Sequence, residues 1–224
     1  MNGILICLTG IDGSGKSSHA ESICKRLESQ GLRIDYVYGR HAPRRLTKII
    51  FQIGRFLGNR PRATITNSSH RQSQTSMKGI PFATVVTSAA ILVDYVPSIG
   101  SDIRRKVRRG ESVLLDRYIF DTVVSDIAAV FEAHRGALLR ILKLFQAFAP
   151  MPNLVVLMDI PVEISLGRKS DTANPSYLNY CRSSYLYLAD RFHWVVLDSR
   201  DEFGKTDDRL LMICREALDQ NKEG

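Results

Sequence analysis

The sequence predicts an α/β fold: a mostly parallel five-stranded sheet with helices on both faces. Two observations carry this expectation. Short apolar runs at 3–9, 33–38, 112–116, 154–159 and 194–198 alternate with longer stretches of helical spacing. The run LVVLMD at 154–159 has no polar alternation, the pattern of a strand covered on both sides. The chain of 224 residues carries no internal repeat and no dividing linker, so a single domain over 1–224 is expected.

Each element has a local reason. Gly3 to Thr9 is the first strand, and Ser17 to Gln30 is a helix because Ala20, Ile23, Cys24 and Leu27 recur at i, i+3, i+4 and i+7. Gly31 is placed to stop that helix, and Arg33 to Tyr38 follows as a second strand. After GRHAPRR, residues Leu46 to Leu57 have helical spacing. Residues 59–78, rich in Ser, Thr, Asn, Gln and Arg, predict an exposed, flexible basic loop, either a functional flap or plain disorder. A long helix is expected from Phe82 to about Arg109, broken near Pro97 and stopped by Gly110. The strand SVLLD ends at Asp116, and helical segments follow at 120–133 and 136–149. Beyond the 154–159 strand come a short helix at 161–167, a short lid at about 167–175, a helix at 176–190, the strand 194–198 and a closing helix at 205–220.

Charge and composition narrow the function classes. The formal charge is +8, yet no acidic residue lies between Asp35 and Asp94, where nine bases fall, from Arg40 to Lys78. The excess is local, which fits either an anion site or a basic solvated face. The cysteines Cys7, Cys24, Cys181 and Cys214 are widely spaced and form no C-x-x-C pair, so neither a disulfide framework nor a zinc site is expected. No apolar stretch is long enough to span a bilayer as a helix, and neither end has the pattern of a targeting segment, so a cytoplasmic protein with no membrane partner is expected.

The most specific signal is GIDGSGKSS. Gly10, Ile11, Asp12, Gly13, Ser14, Gly15, Lys16, Ser17 and Ser18 satisfy G-x-x-x-x-G-K-[ST] between a strand and a helix, the nucleotide-binding signature of a three-layer P-loop NTPase fold. Glycines let successive backbone N–H groups surround phosphate oxygens, and the following helix adds its positive end. Lys16 reaches the β and γ phosphates, and the Ser17 hydroxyl ligates Mg²⁺. The run VLLDRY delivers Asp116 to the same edge of the sheet, where a carboxylate holds the Mg²⁺ shell or orients an attacking oxygen; Arg117 clamps a second phosphate. A plain Asp-Arg ion pair is the alternative for these two residues. Arg168, in SLGRKSDTANPSY, either supplies a cation for the transferring phosphoryl group or belongs to a solvated basic surface. Catalytic roles thus fall on Lys16, Asp116, Arg117 and Arg168, with Ser17 and Asp116 as metal ligands. A carboxylate at Asp12, inside a phosphate loop, has to point elsewhere, and an acceptor's sugar hydroxyl would take it.

GIDGSGKSS, VLLDRY, MDIPVEISLGRK and YLYLADRF leading into VVLD together resemble the thymidylate kinase family of P-loop nucleoside monophosphate kinases, through essentially the whole chain. The resemblance implies transfer of a phosphoryl group from ATP, with Mg²⁺, to a nucleoside monophosphate such as dTMP, by a homodimer packed through long helices. By position, Asp12 is similar to the family's acid that contacts the acceptor's sugar, and Arg117 to its acceptor-phosphate arginine. Arg40 corresponds to the arginine after the second strand, and Arg168 to the lid arginine. Departures gather in the acceptor pocket. GRHAPRR stands where the family has Arg-Glu-Pro-Gly-Gly-Thr, Tyr95 where an arginine reads the pyrimidine, and IFDTVVSD where an aromatic and a glutamine face the base. A kinase for a different phosphorylated or hydroxylated acceptor is therefore a competing expectation, and so is an ATP-switched nucleic-acid-binding module. For nucleic acid the sequence offers no zinc-finger spacing, RNP1-like run or helix-turn-helix pattern.

Overall fold

The computed structural model describes residues 3–40, 88–93, 99–129, 133–168 and 174–223. The predicted helix at 46–57, the loop at 59–78, Pro97 and Tyr95 lie outside the described residues, as does the middle of the expected lid.

The five strands are β1 (Leu5–Thr9), β2 (Ile34–Tyr38), β3 (Ser112–Asp116), β4 (Leu154–Asp159) and β5 (Val195–Asp198). They form one sheet in the order β2-β3-β1-β4-β5, and every pairing is parallel. All five residues of β1 are buried, as its central place requires, whereas the edge strand β2 leaves Tyr36 and Tyr38 partly exposed. Period-two alternation divides β1 between two cores. Ile6 and Leu8 face α1 (Lys16–Ser29) and the closing helix (Phe203–Glu223), meeting Ala20, Ile23 and Leu27 from the first and Leu210, Leu211 and Cys214 from the second. Leu5 and Cys7 face the opposite layer.

Besides the helical residues 88–93, the described helices continue in chain order as α2 (Ser101–Arg108), α3 (Ile119–Asp121), α4 (Arg135–Gln146), α5 (Val162–Arg168) and α6 (Pro175–Phe192), and the closing helix is labelled α7. Leu138, Leu142 and Phe145 of α4, with Leu178, Tyr185 and Leu188 of α6, fill the second core.

Several ends follow the sequence expectation. Gly31 has φ 78° and closes α1 with Leu32 N donating to Leu27 O and Gly31 N to Glu28 O, a full Schellman motif. Gly110, φ 81°, ends the turn after α2. Asn174 caps α6 by accepting from Ser176 N at 2.9 Å, with Pro175 in the first turn, where its missing N–H costs nothing. Other boundaries differ. The helix expected at 120–133 is α3 followed by a π-helical stretch, Thr122–Ala128, whose wider turn shows in Ala129 N donating to Val124 O. Gly167 and Arg168, expected in a lid at 167–175, are the last turn of α5, because the helical bonding opened by Ser165 N to Pro161 O runs on to Arg168. The three described cysteines of the cores, Cys7, Cys181 and Cys214, are buried free thiols; Cys24 is half-buried and also free.

α7 is fastened to α1 by one carboxylate. Asp207 accepts from His19 Nδ1 at 2.9 Å, Ser22 Oγ at 2.8 Å and Arg26 Nη1 at 2.8 Å, while the His19 ring stacks on Phe203 with centroids 4.1 Å apart.

Phe145 is fully buried in the layer that carries α3, α4 and α6. Phe145→Ala is expected to lower the unfolding free energy by about 3–5 kcal/mol in urea titrations.

Candidate active site

The loop after β1 is shaped by backbone that only glycine tolerates. Gly10 has φ 143°, and a Cβ there would lie 2.5 Å from Met158 O of the neighbouring strand. Gly15, φ 86°, is the residue that caps α1 and offers no side-chain hydrogen bond to the first turn. The opening amides of α1 are thus left to an incoming anion, and no acidic residue stands in that turn to compete. Lys16 is buried, its ammonium donating to Ile11 O at 2.6 Å and Ser14 Oγ at 3.0 Å. Burial first, and then the nearby Arg117 charge, push its pKa down to about 7 against the pull of Asp121, Asp12 and Asp116. The side chains of Ser17 and Ser18 are exposed. α5 leans on this loop from the other side: Ser165 Oγ donates to Asp12 O at 2.5 Å, and Arg168 reaches Gly13 O at 3.4 Å and Ser199 O at 3.0 Å.

The second half of the site comes from β3. Asp116 is fully buried; its Oδ2 accepts from Tyr36 of the adjacent edge strand at 3.1 Å, while Oδ1 has no hydrogen-bond partner. A buried carboxylate oxygen left bare is costly in an enclosed site, and here it lies at the strand end beside the phosphate loop. That bare oxygen and the exposed Ser17 hydroxyl are each a hard oxygen donor of the kind Mg²⁺ takes. Among the described residues no group of three or more His, Cys, Asp or Glu could hold a metal ion.

Arg117 adopts a left-handed backbone, φ 69°, a strained choice for a residue with a side chain. Its N–H donates to Leu8 O at 3.0 Å, and its carbonyl is so close to Gly39 that a Cβ there would lie 2.3 Å away. The guanidinium pairs with Asp12 and, at 3.4 Å, with Asp121. A plain Asp116–Arg117 ion pair is therefore not what forms, and Asp12, expected to point to an acceptor's sugar, is held by Arg117. Burial opposes the Arg117 charge, and Asp12 and Asp121 outweigh it, so its pKa ends above the usual arginine value.

Asp121 and Asp126 are absent from the sequence expectation. Asp121 is fully buried and accepts from Thr9 Oγ1 at 2.9 Å, Tyr118 N at 3.2 Å and Tyr185 OH at 3.1 Å besides Arg117. Burial raises its pKa in spite of Arg117 and Lys16. Arg40, just past β2, pairs with Asp126 at 2.6 Å. The available signal was two aspartates inside the apolar run IFDTVVSDIAAV, since a carboxylate on a buried helix has to find a cation or donors. The structure thus gathers Gly10 to Ser18, Arg40, Asp116, Arg117 and Arg168 at one edge of the sheet; Tyr95 lies outside the described residues.

A parallel sheet ordered 2-3-1-4-5, a glycine loop running from its central strand into an uncapped helix, and cations converging on that loop define a P-loop kinase fold, the class of phosphotransferases. The family model for thymidylate kinase matches residues 8–209, and the chain belongs to the thymidylate kinase family. Among similar proteins, the probable thymidylate kinase of Staphylothermus marinus is 25% identical, over 97% of each chain. The probable thymidylate kinase 1 of Saccharolobus solfataricus is 25% identical, over 96% of this chain and 98% of its own. The thymidylate kinase of Carboxydothermus hydrogenoformans is 28% identical, over 89% and 91%. No helix among the described residues is long and apolar enough to cross a membrane.

Because Asp121 satisfies donors from four directions, Asp121→Ala is expected to cost about 3–5 kcal/mol of stability, read by thermal or urea unfolding. Asp121→Asn, which keeps an acceptor and removes the buried charge, is expected to lose less.

Proposed function

We propose that the protein transfers the γ-phosphoryl group of ATP to a nucleoside monophosphate, with dTMP as the acceptor, yielding ADP and dTDP. The observation that carries this reading is the pairing of two anion sites at one sheet edge. The amides of Gly10 to Ser18 and Lys16 form the donor side; Arg117 and Arg40 form the acceptor side. Family membership supports a single kinase domain over 1–224, a homodimer packed through long helices and a cytoplasmic setting.

On the donor side, Lys16 exchanges Ile11 O and Ser14 Oγ for the β and γ phosphate oxygens. Arg168, already lying against Gly13 O, turns its remaining N–H groups toward the equatorial oxygens that gain charge during transfer. On the acceptor side, a phosphate dianion takes Arg117 from Asp12, and the freed carboxylate is available to a sugar hydroxyl. Ser17 and Asp116 would hold Mg²⁺, which neutralises charge across the β and γ phosphates when bound. With Lys16, Arg117 and Arg168 in place, in-line transfer needs positioning and cationic stabilisation more than covalent chemistry from the protein.

A coupled assay of ADP release across nucleoside monophosphates, nucleosides and sugar phosphates tests the reading. Turnover is expected with dTMP, and Lys16→Ala is expected to reduce it by about 10²–10³-fold with the fold intact. Turnover confined to non-nucleotides, or a variant within a few-fold of the parent, contradicts it.

The lowered Lys16 pKa gives a second expectation. At pH 8 the free amine is mostly neutral, and triphosphate oxygens favour its charged form, so binding takes up about one proton; at pH 6 the amine is already charged and uptake falls. Calorimetry of ATP binding in buffers of different ionisation enthalpy measures this, and Lys16→Met is expected to abolish the pH 8 uptake.

A further inference from the structure

The π-helical stretch has a consequence for the acceptor side. Asp121 and Asp126 are five residues apart, and at about 100° per residue an α-helix would direct them to opposing sides. The wider turn of Thr122–Ala128, closing from Val124 O to Ala129 N, carries residues five apart toward one face. Both carboxylates then meet arginines of a single cluster: Asp121 meets Arg117, and Asp126 meets Arg40, with Arg117 and Arg40 close enough to repel. α6 braces the wide turn, since Tyr177 OH donates to Ser125 O at 3.2 Å and Tyr185 OH lies 3.1 Å from Ser125 Oγ.

The geometry at Arg40 separates a guide from a competitor. Asp126 engages the guanidinium along one edge, accepting from Nη2 at 2.6 Å and from Nε at 3.4 Å. These two contacts use Nη2 and Nε, so Nη1 is the part of the fork that Asp126 leaves for an anion while it fixes the rest. Both side chains are largely buried, 15% and 8% exposed, so the pair is shielded from water and the guanidinium cannot rely on solvent for its orientation.

We propose that Asp126, brought onto Arg40 by the π-helical turn, is a positioning residue that presets Arg40 to receive the phosphate of the acceptor nucleotide. This rests on the reading of Arg40 as an acceptor-phosphate ligand. Asp126 touches no substrate; it acts through the direction it imposes on Nη1 and through the entropy that a preset arginine does not lose on binding.

The test uses the full chain and initial rates with dTMP and ATP varied separately. Asp126→Asn keeps the shape and one acceptor but removes the charge, and thermal unfolding verifies that it folds. It is expected to raise the KM for dTMP about tenfold, the loss of a charge-assisted hydrogen bond, with the KM for ATP within about twofold. In an Arg40→Ala background, adding Asp126→Asn is expected to change the KM for dTMP less than about twofold, because both substitutions disable one element. An unchanged or lowered KM for dTMP in Asp126→Asn, a matching rise in the KM for ATP, or full additivity with Arg40→Ala overturns the assignment while leaving dTMP kinase activity standing. Absence of turnover in the unmodified protein with every nucleoside monophosphate overturns the proposed function itself, and this assignment with it.

Discussion

Basic side chains buried at a sheet edge need polar partners of their own, and this constraint organises the whole carboxyl edge of the sheet. A buried charge without a partner costs several kcal/mol. The molecule meets that demand with its own oxygens: Lys16 on Ile11 O and Ser14 Oγ, Arg117 on Asp12 and Asp121, Arg40 on Asp126, Arg168 on Gly13 O and Ser199 O. Some of these partners are backbone carbonyls and a hydroxyl, weak enough to be exchanged for phosphate oxygens. Others are carboxylates, and they sort into those that face the substrate space, such as Asp12, and those sunk behind the arginines, such as Asp121.

The sheet order makes this concentration of charge affordable only at one place. β1 is buried between β3 and β4, so the loop after it and the Asp-Arg step after β3 emerge side by side. Gly10 lies against the carbonyl of Met158 in β4, and Arg117 N is tied to Leu8 O in β1, which fixes the glycine loop and Arg117 to the same three strands. Ligand sites at strand carboxyl ends in such folds follow from this geometry, because only there do several loops converge without crossing the cores.

What could be read in the sequence was what depends on neighbours along the chain. The glycine loop is contiguous, so its conformation is written in GIDGSGKSS, and β1, β3 and β4 announce themselves because burial on both faces removes polar alternation. Asp116 and Arg117 were legible because a strand end faces the site. Asp121 and Asp126 were not: a reader applying the ordinary helical period puts them on different faces, and only the wide turn brings them together. Arg168 was legible as a cation but not as the last residue of α5, since a helix end one residue later is below what spacing alone resolves. The Asp12–Arg117 pair was hidden because it joins two loops more than a hundred positions apart, with no local pattern to mark it.

The clamp between α1 and α7 bears on how the molecule works as a machine. Asp207 binds three side chains of α1, one of them the histidine a turn past Gly15, and the Phe203 ring lies flat against that histidine. α1, whose opening amides carry no side-chain cap, is thereby anchored to the first turns of α7. The opposite wall is tied more sparely: α5 reaches the glycine loop through Ser165 Oγ on Asp12 O and Arg168 on Gly13 O.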